Sequence, residues 1–474
     1  MSSHTAPAST TGNWPVKKAL GIFGAVAVLL LLWFWPMALD ARPKHALAVS
    51  LFLIVLLATE VVDLGIAGLV GCYMFWILNV ARPAAAFGGF ANDTTWFVLG
   101  ALLVGGMTHV TGLGRRLGYL VVARAGASYS SILLALIIAD FLLTFVVPSG
   151  VPRVVIMASV AVGLIDAFRA ERTSNIARGM FIILTYSATI FDKAMIANPP
   201  AIMARGIIET VGHVQVSWFQ WFIAFLPLDL ITIVACWRLT LWLYPPEVKV
   251  LPGGKEFLKR ELEKMGPWSS AEKRCALLVL IGTALWMTDS MHHISPSLIG
   301  VGVGLAGFLP VIGVLQWEDF RRINLTAFFL VGGALSMTGI LTDTKALDII
   351  TRVMFSWMTP LITNVYNSTL VVYWTACIYH LFLASETPML ASSMPPLMQF
   401  ALSKGFNPMV VGMIWTFASS GKVFVYQAAA VITGYSYGYF EGRDVMKVGA
   451  ILTVIESLVL LLLVPFYWPL VGAR

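Results

Sequence analysis

The sequence predicts an all-α polytopic membrane protein of about eleven transmembrane helices plus two re-entrant hairpins, arranged as an inverted-topology repeat. Three observations carry that reading. The chain is 58% hydrophobic and 12% charged, about half the charge fraction of a soluble domain. Apolar runs long enough to span about 30 Å of hydrocarbon recur along its whole length. Two lysines, Lys193 and Lys422, lie inside such runs at matching places in the two halves, each following a short polar motif. A charge at mid-membrane costs from ~3 to well over 10 kcal/mol, depending on reference state. A duplicated one suggests an anion site at the seam of two repeats.

Residues 1–16 are rich in Ser, Thr and Ala and read as a disordered N-terminus. The apolar run after Lys17-Lys18 reads as a first transmembrane helix, because Trp33-Phe34-Trp35-Pro36 follows it where a signal peptide would end in small residues. The first transmembrane repeat covers 17–244, with helices at about 18–39, 45–60, 62–80, 93–113 and 217–243. Within it, a hairpin at about 128–165 is interrupted by Pro148, Gly150 and Pro152, and a helix at about 177–208 breaks near Asp192–Pro200. Residues 245–272 form a cytoplasmic connector whose alternating charges and helical apolar spacing suggest a short amphipathic helix on the membrane surface. The second repeat, 273–474, follows the same plan. Helices fall at about 273–289, 296–312, 324–342 and 445–468, a hairpin at about 366–403 breaks at Glu386 and Pro388, and a broken helix at about 408–437 holds Ser419-Ser420-Gly421-Lys422.

Loop charge orients the chain. Lys17-Lys18, Arg115-Arg116-Arg124, Arg169-Arg172-Arg178, the connector, Arg321-Arg322 and Arg443-Lys447 fall on one side if each hairpin enters and leaves on one face. Arg42 and Lys44 dissent. The N-terminus is then cytoplasmic, in a pattern suited to a bacterial inner membrane, and the hairpins open from opposite sides. The net charge of +7 follows from these loops and does not point to nucleic acid. Cys72, Cys236, Cys275 and Cys377 all lie in apolar stretches with no metal or disulfide spacing. Paired catalytic spacings, nucleotide loops and cofactor motifs are missing, which argues against an enzyme or an ATP-driven pump. His45, His109, His213 and His380 are isolated and receive no role, His292-His293 read as surface residues, and the tryptophans read mostly as interfacial anchors.

Non-helical backbone is tolerated at membrane depth only where protein or a water-filled cavity satisfies it, so two tips and two breaks imply one central cavity. Half-helix N-termini suit anions there, and carbonyl ends suit cations.

The tips Pro148-Ser149-Gly150-Val151-Pro152-Arg153 and Ala384-Ser385-Glu386-Thr387-Pro388 resemble those of the divalent anion:sodium symporter family, the sodium:sulfate and dicarboxylate carriers. Tyr244-Pro245-Pro246-Glu247-Val248-Lys249, Asn198-Pro199-Pro200, Ser217-Trp218 with Trp221, Trp317-Glu318-Asp319 and Tyr437-Gly438-Tyr439-Phe440 extend the resemblance over about 20–470. The branch of dicarboxylate exchangers is the nearest. The resemblance implies an elevator-type carrier, a homodimer and a Ser-Asn-Thr motif at each tip holding substrate carboxylates beside sodium. Here Gly150 and Val151 remove two side-chain hydrogen-bonding groups, and Glu386 adds a negative charge. Lys193 and Lys422 stand at the breaks the family uses for sodium.

The candidate substrate ligands are Ser149, Gly150, Val151, Arg153, Asn198, Ser385, Glu386, Thr387 and Gln427, with Arg153 offering a bidentate fork to a carboxylate. Asp192, Lys193, Ser419, Ser420 and Lys422 mark the coupling-ion site or its lysine substitute, with Asp192 pairing locally with Lys193 and Glu386 with Lys422. The lysines are then stand-ins for sodium, direct substrate ligands, or both. The expectation is a secondary carrier of a small organic anion, di- or tricarboxylate-like, exchanging without sodium or coupled to protons. The alternatives are a conventional sodium symporter and, more remotely, an anion channel or intramembrane enzyme.

Overall fold

A computed structural model describes residues 16–37, 39–250, 254–383 and 385–473. The expectation for residues 1–16 lies outside the described residues except at its last position, as does Ala384 at the second tip. Named secondary structure among the described residues is all helical; the one extended contact is an isolated bridge between Ser128 and Val250. Among the described residues, six helices are long and apolar enough to cross a membrane: Ala41–Thr59, Asp93–Thr111, Gly150–Phe168, Trp218–Leu243, Thr326–Asp343 and Gly442–Val471. Five shorter apolar helices accompany them. The six are fewer than the eleven spans hydropathy suggests because turns divide several apolar stretches.

The breaks fall where Pro and Gly put them. The first hairpin consists of Tyr129–Leu143 and Gly150–Phe168 around the tip at 144–149. Pro152 sits in the first turn of its second arm, where a missing N–H costs nothing. The first broken helix runs Asn175–Ile190, tightens into a 3₁₀ turn over Phe191–Lys193, and resumes as Pro199–Thr210. Pro199 and Pro200 open that second piece, and the Asn198 side chain caps it by accepting from Ala201 N at 3.0 Å. In the second half, Val365–Phe382 and Glu386–Ser403 form the hairpin, and Pro408–Ala418 and Ala429–Ser436 form the broken helix.

Two helical groups pack side by side. In one, Leu64–Ile77 lies against Thr326–Asp343 and Asp93–Thr111 against Pro296–Ala306. Both contacts join the two halves of the chain, with backbones close enough that a Cβ on Gly100 would sit 2.5 Å from Gly300. The other group holds the hairpins and broken helices, and there the halves exchange pieces. Ala429–Ser436 packs on the first hairpin's Gly150–Phe168, while Pro199–Thr210 packs on the second hairpin's Glu386–Ser403.

The connector does form a helix, Gly254–Lys264. It is pinned by Arg116, which was counted among the loop charges but is 6% exposed. Arg116 Nε donates to Glu272 at 2.6 Å, and its other nitrogens donate to the carbonyls of Met265 and Gly266 at 3.1 and 2.9 Å. Two short helices, Leu113–Ala123 and Ala346–Phe355, were not foreseen. The interfacial reading of the tryptophans also needs correction at Trp218, Trp221, Trp415 and Trp468, which are fully buried. Indole N–H groups there reach carbonyls or a hydroxyl: Trp221 Nε1 donates to Lys193 O at 2.9 Å and Trp415 Nε1 to Ser393 Oγ at 2.9 Å.

Candidate functional site

Four helix N-termini converge on one cavity of about 650 Å³, within the range of a small-molecule site. They are the starts of Gly150–Phe168, Glu386–Ser403, Pro199–Thr210 and Ala429–Ser436, two from each half. Each brings a positive dipole end to the cavity, and all but Pro199–Thr210, whose first two residues are prolines and whose Ala201 N is capped by Asn198, also bring free backbone N–H groups. Ser149 and Ser385 occupy the N-cap positions of the two hairpin arms, yet neither uses its side chain to cap its helix. Asn198 keeps its Nδ2 buried and, among the described residues, without a hydrogen-bond partner. These donors can meet a carboxylate.

Of the expected residues, Ser149, Gly150, Val151, Asp192, Asn198, Ser385, Glu386 and Thr387 line the cavity; Arg153, Lys193, Ser419, Ser420, Lys422 and Gln427 do not. The cations stand behind the wall. Lys193 and Arg153 are 0% exposed and Lys422 1%. Both lysines are joined to one oxygen, Oε1 of Glu386, in very short contacts. Lys193 reaches it from the first break and Lys422 from the second, while Glu386 comes from the second tip. One carboxylate thus ties three broken segments together. Lys422 also donates to Ser419 O and meets His380 Nε2 at 3.0 Å.

The pairing of Glu386 with Lys422 appears as expected, but that of Asp192 with Lys193 does not. Asp192 instead accepts from Arg153 Nη2 at 2.9 Å, because a 3₁₀ turn of three residues points neighbouring side chains about a third of a revolution apart. Arg153 has its donors engaged: Nε on Asp140 at 3.2 Å, Nη1 on Val147 O at 3.4 Å and Nη2 also on Ala188 O at 2.6 Å. It braces the first tip from within. Gly150 lets the pair fit, since a Cβ there would lie 2.8 Å from Ala188 O and 2.9 Å from Asp192 Oδ2. Three buried cations therefore meet three carboxylates in two sets, Arg153 with Asp140 and Asp192, and the two lysines with Glu386; of the carboxylates, Asp192 and Glu386 line the cavity.

Ser419 and Ser420 turn their hydroxyls onto the carbonyls of Thr416 and Phe417. Gln427 holds the second break closed: its Oε1 accepts from Val423 N and Phe424 N at 2.7 Å each, and its Nε2 donates to His380 O at 3.2 Å. His380 was assigned no role and is a residue the sequence reading missed. It is 0% exposed and lies against Lys422. The signal was present, since it is a polar side chain inside the same apolar run as Glu386. Asp140 was missed as well, along with the cavity's outer polar residues Asp319, Arg322 and Asn324.

A polytopic helical membrane protein with paired hairpins and half-helix N-termini around one cavity is the architecture of a membrane transporter. Residues 16–473 match the family described as sodium:sulfate symporter transmembrane region, and the chain belongs to that family. It is accordingly a transporter and not an enzyme. A membrane protein of Cupriavidus necator is 27% identical over 95% of this chain and 93% of its own. The putative malate transporter YflS of Bacillus subtilis is 24% identical, and the L-tartrate/succinate antiporter of Escherichia coli K12 is 23% identical, each over 97% of this chain and 98% of its own.

Proposed function

We propose that this chain carries small organic anions, C4 or C5 dicarboxylates foremost, across a bacterial inner membrane by alternating access. Its two lysines serve in place of a coupling sodium. The observation that carries the reading is Glu386, held by Lys193 and Lys422 at the two helix breaks. A cation at a break would neutralise the carbonyl ends and hold the tip, and an ammonium does both. Neither lysine lines the cavity, which favours the stand-in role over direct substrate contact. The substrate carboxylates would rest on the helix N-termini, the hydroxyls of Ser149, Ser385 and Thr387, and Asn198 Nδ2.

The names of two of the relatives above, which concern malate, tartrate and succinate, support the choice of substrate class. In this reading the hairpins are re-entrant, the halves form an inverted repeat, the N-terminus is cytoplasmic, and the hairpin group moves as an elevator within a homodimer. Counterflow in proteoliposomes tests the carrier. Labelled succinate, malate or tartrate should enter faster when the same anion is loaded inside, and should saturate. Uptake that rises linearly and ignores internal anion would indicate a channel and overturn the proposal.

A further inference from the structure

We propose that Glu456 and Asp229 hold a proton that travels with the transport cycle, a reading that rests on the transporter function proposed above. Glu456 lies on Gly442–Leu462 and Asp229 on Trp218–Leu243, two helices in contact, and each is 1% exposed. Neither forms an ion pair among the described residues, and neither lines the cavity. Among the described residues both carboxyl oxygens of Asp229 lack a hydrogen-bond partner, and Glu456 is its electrostatic neighbour. Two ionised carboxylates without a paired cation in such an interior would be strongly disfavoured.

Tyr373 offers a place for the proton. Its hydroxyl has one hydrogen and two oxygen partners: Thr453 O at 2.9 Å, which can only accept, and Glu456 Oε2 at 3.1 Å. If the hydroxyl donates to the carbonyl, the second contact is made when a protonated Glu456 donates to Tyr373. Among the described residues, the titratable groups facing Glu456 are Asp229 and Cys236 from its neighbouring helix, Tyr186 from Asn175–Ile190, Tyr373 and Cys377 from Val365–Phe382, and the two lysines at the breaks. Both lysines are already bound to Glu386.

A polar ladder joins this proton to the substrate site. Tyr373, Cys377 and His380 are spaced by four and three, on one face of their helix. Cys377 lies between the other two with its Sγ directed at Ala418 O, and His380 meets Lys422, which holds the cavity-lining Glu386. The proton on Glu456 would leave along Tyr373 and the ladder when the tip opens, and be restored from the opposite side.

Two measurements on purified full-length protein test this. Infrared difference spectra of E456Q and D229N against wild type should show loss of a buried protonated-carboxyl band; spectra that show both groups ionised in wild type would overturn the proposal. In proteoliposomes containing a trapped pH dye, wild type should move protons with succinate, whereas E456Q should move succinate with proton movement lost. Tyr373→Phe, which keeps the packing, should slow the proton flux. Succinate transport without protons in wild type, or unchanged coupling in E456Q, would contradict the inference. If succinate, malate and tartrate are all refused, the transport reading fails, and the infrared arm still decides where the proton sits.

Discussion

At the residue scale, Glu386 is the carboxylate that both buried lysines share. Removing one partner of a buried pair typically costs about 3–5 kcal/mol because the other charge is left stranded. Lys422→Met leaves Glu386 with Lys193 alone and leaves His380 facing an apolar side chain. We expect exchange to fall by about tenfold or more, since 1.4 kcal/mol corresponds to a factor of ten. An exchange rate in proteoliposomes equal to wild type would reduce the residue to a structural pair. Gly150→Ala should also impair exchange, because its Cβ would press on the Ala188 carbonyl and on the carboxylate that Arg153 holds. A wild-type rate would show that the first tip has slack. The lysines were legible in the sequence because a charge in an apolar run has few bland explanations. Their partners were not. Arg153 reads as a substrate fork until Asp140 and Asp192, 13 and 39 residues away in sequence, are seen to close on it. The acidic face of the cavity is a property of folding and has no local sequence signature.

At the element scale, Pro and Gly located both tips and both breaks to within a few residues, since each removes a donor or frees the backbone at membrane depth. Leu113–Ala123 and Ala346–Phe355 went unseen because they are short and flank longer apolar runs. The exchange of half-helices between the halves was equally invisible, being set by packing alone. Gly449 shows how close that packing is: a Cβ there would collide with Lys422 O and with the Tyr186 hydroxyl. Gly449→Ala should therefore displace the second break and lower exchange, to be read in the same counterflow assay; an unchanged rate would show the break to be compliant.

The connector offers a separate test. Burial alone would raise the Glu272 carboxyl, but bonds from Arg116 and Ser269 outweigh it and hold the group below its usual range. Its contribution is then present above the ordinary carboxylate range and is lost as pH falls through the lowered value. Glu272→Gln should lower the melting temperature in detergent at neutral pH, and the gap to wild type should close in acid. A gap independent of pH would mean the pair contributes nothing through charge.

At the scale of the whole molecule, the two halves build one site by lending each other helix ends, and the charges they bury there balance. Three cations meet three carboxylates. In the function proposed above, the tips would close around an anion while the coupling cation stays covalently attached to the chain. The deciding measurement is the rate of labelled succinate, malate or tartrate exchange in proteoliposomes, with all sodium replaced by choline on both sides. The account predicts the same rate in choline as in sodium. A rate that vanishes in choline and returns with added sodium would contradict it.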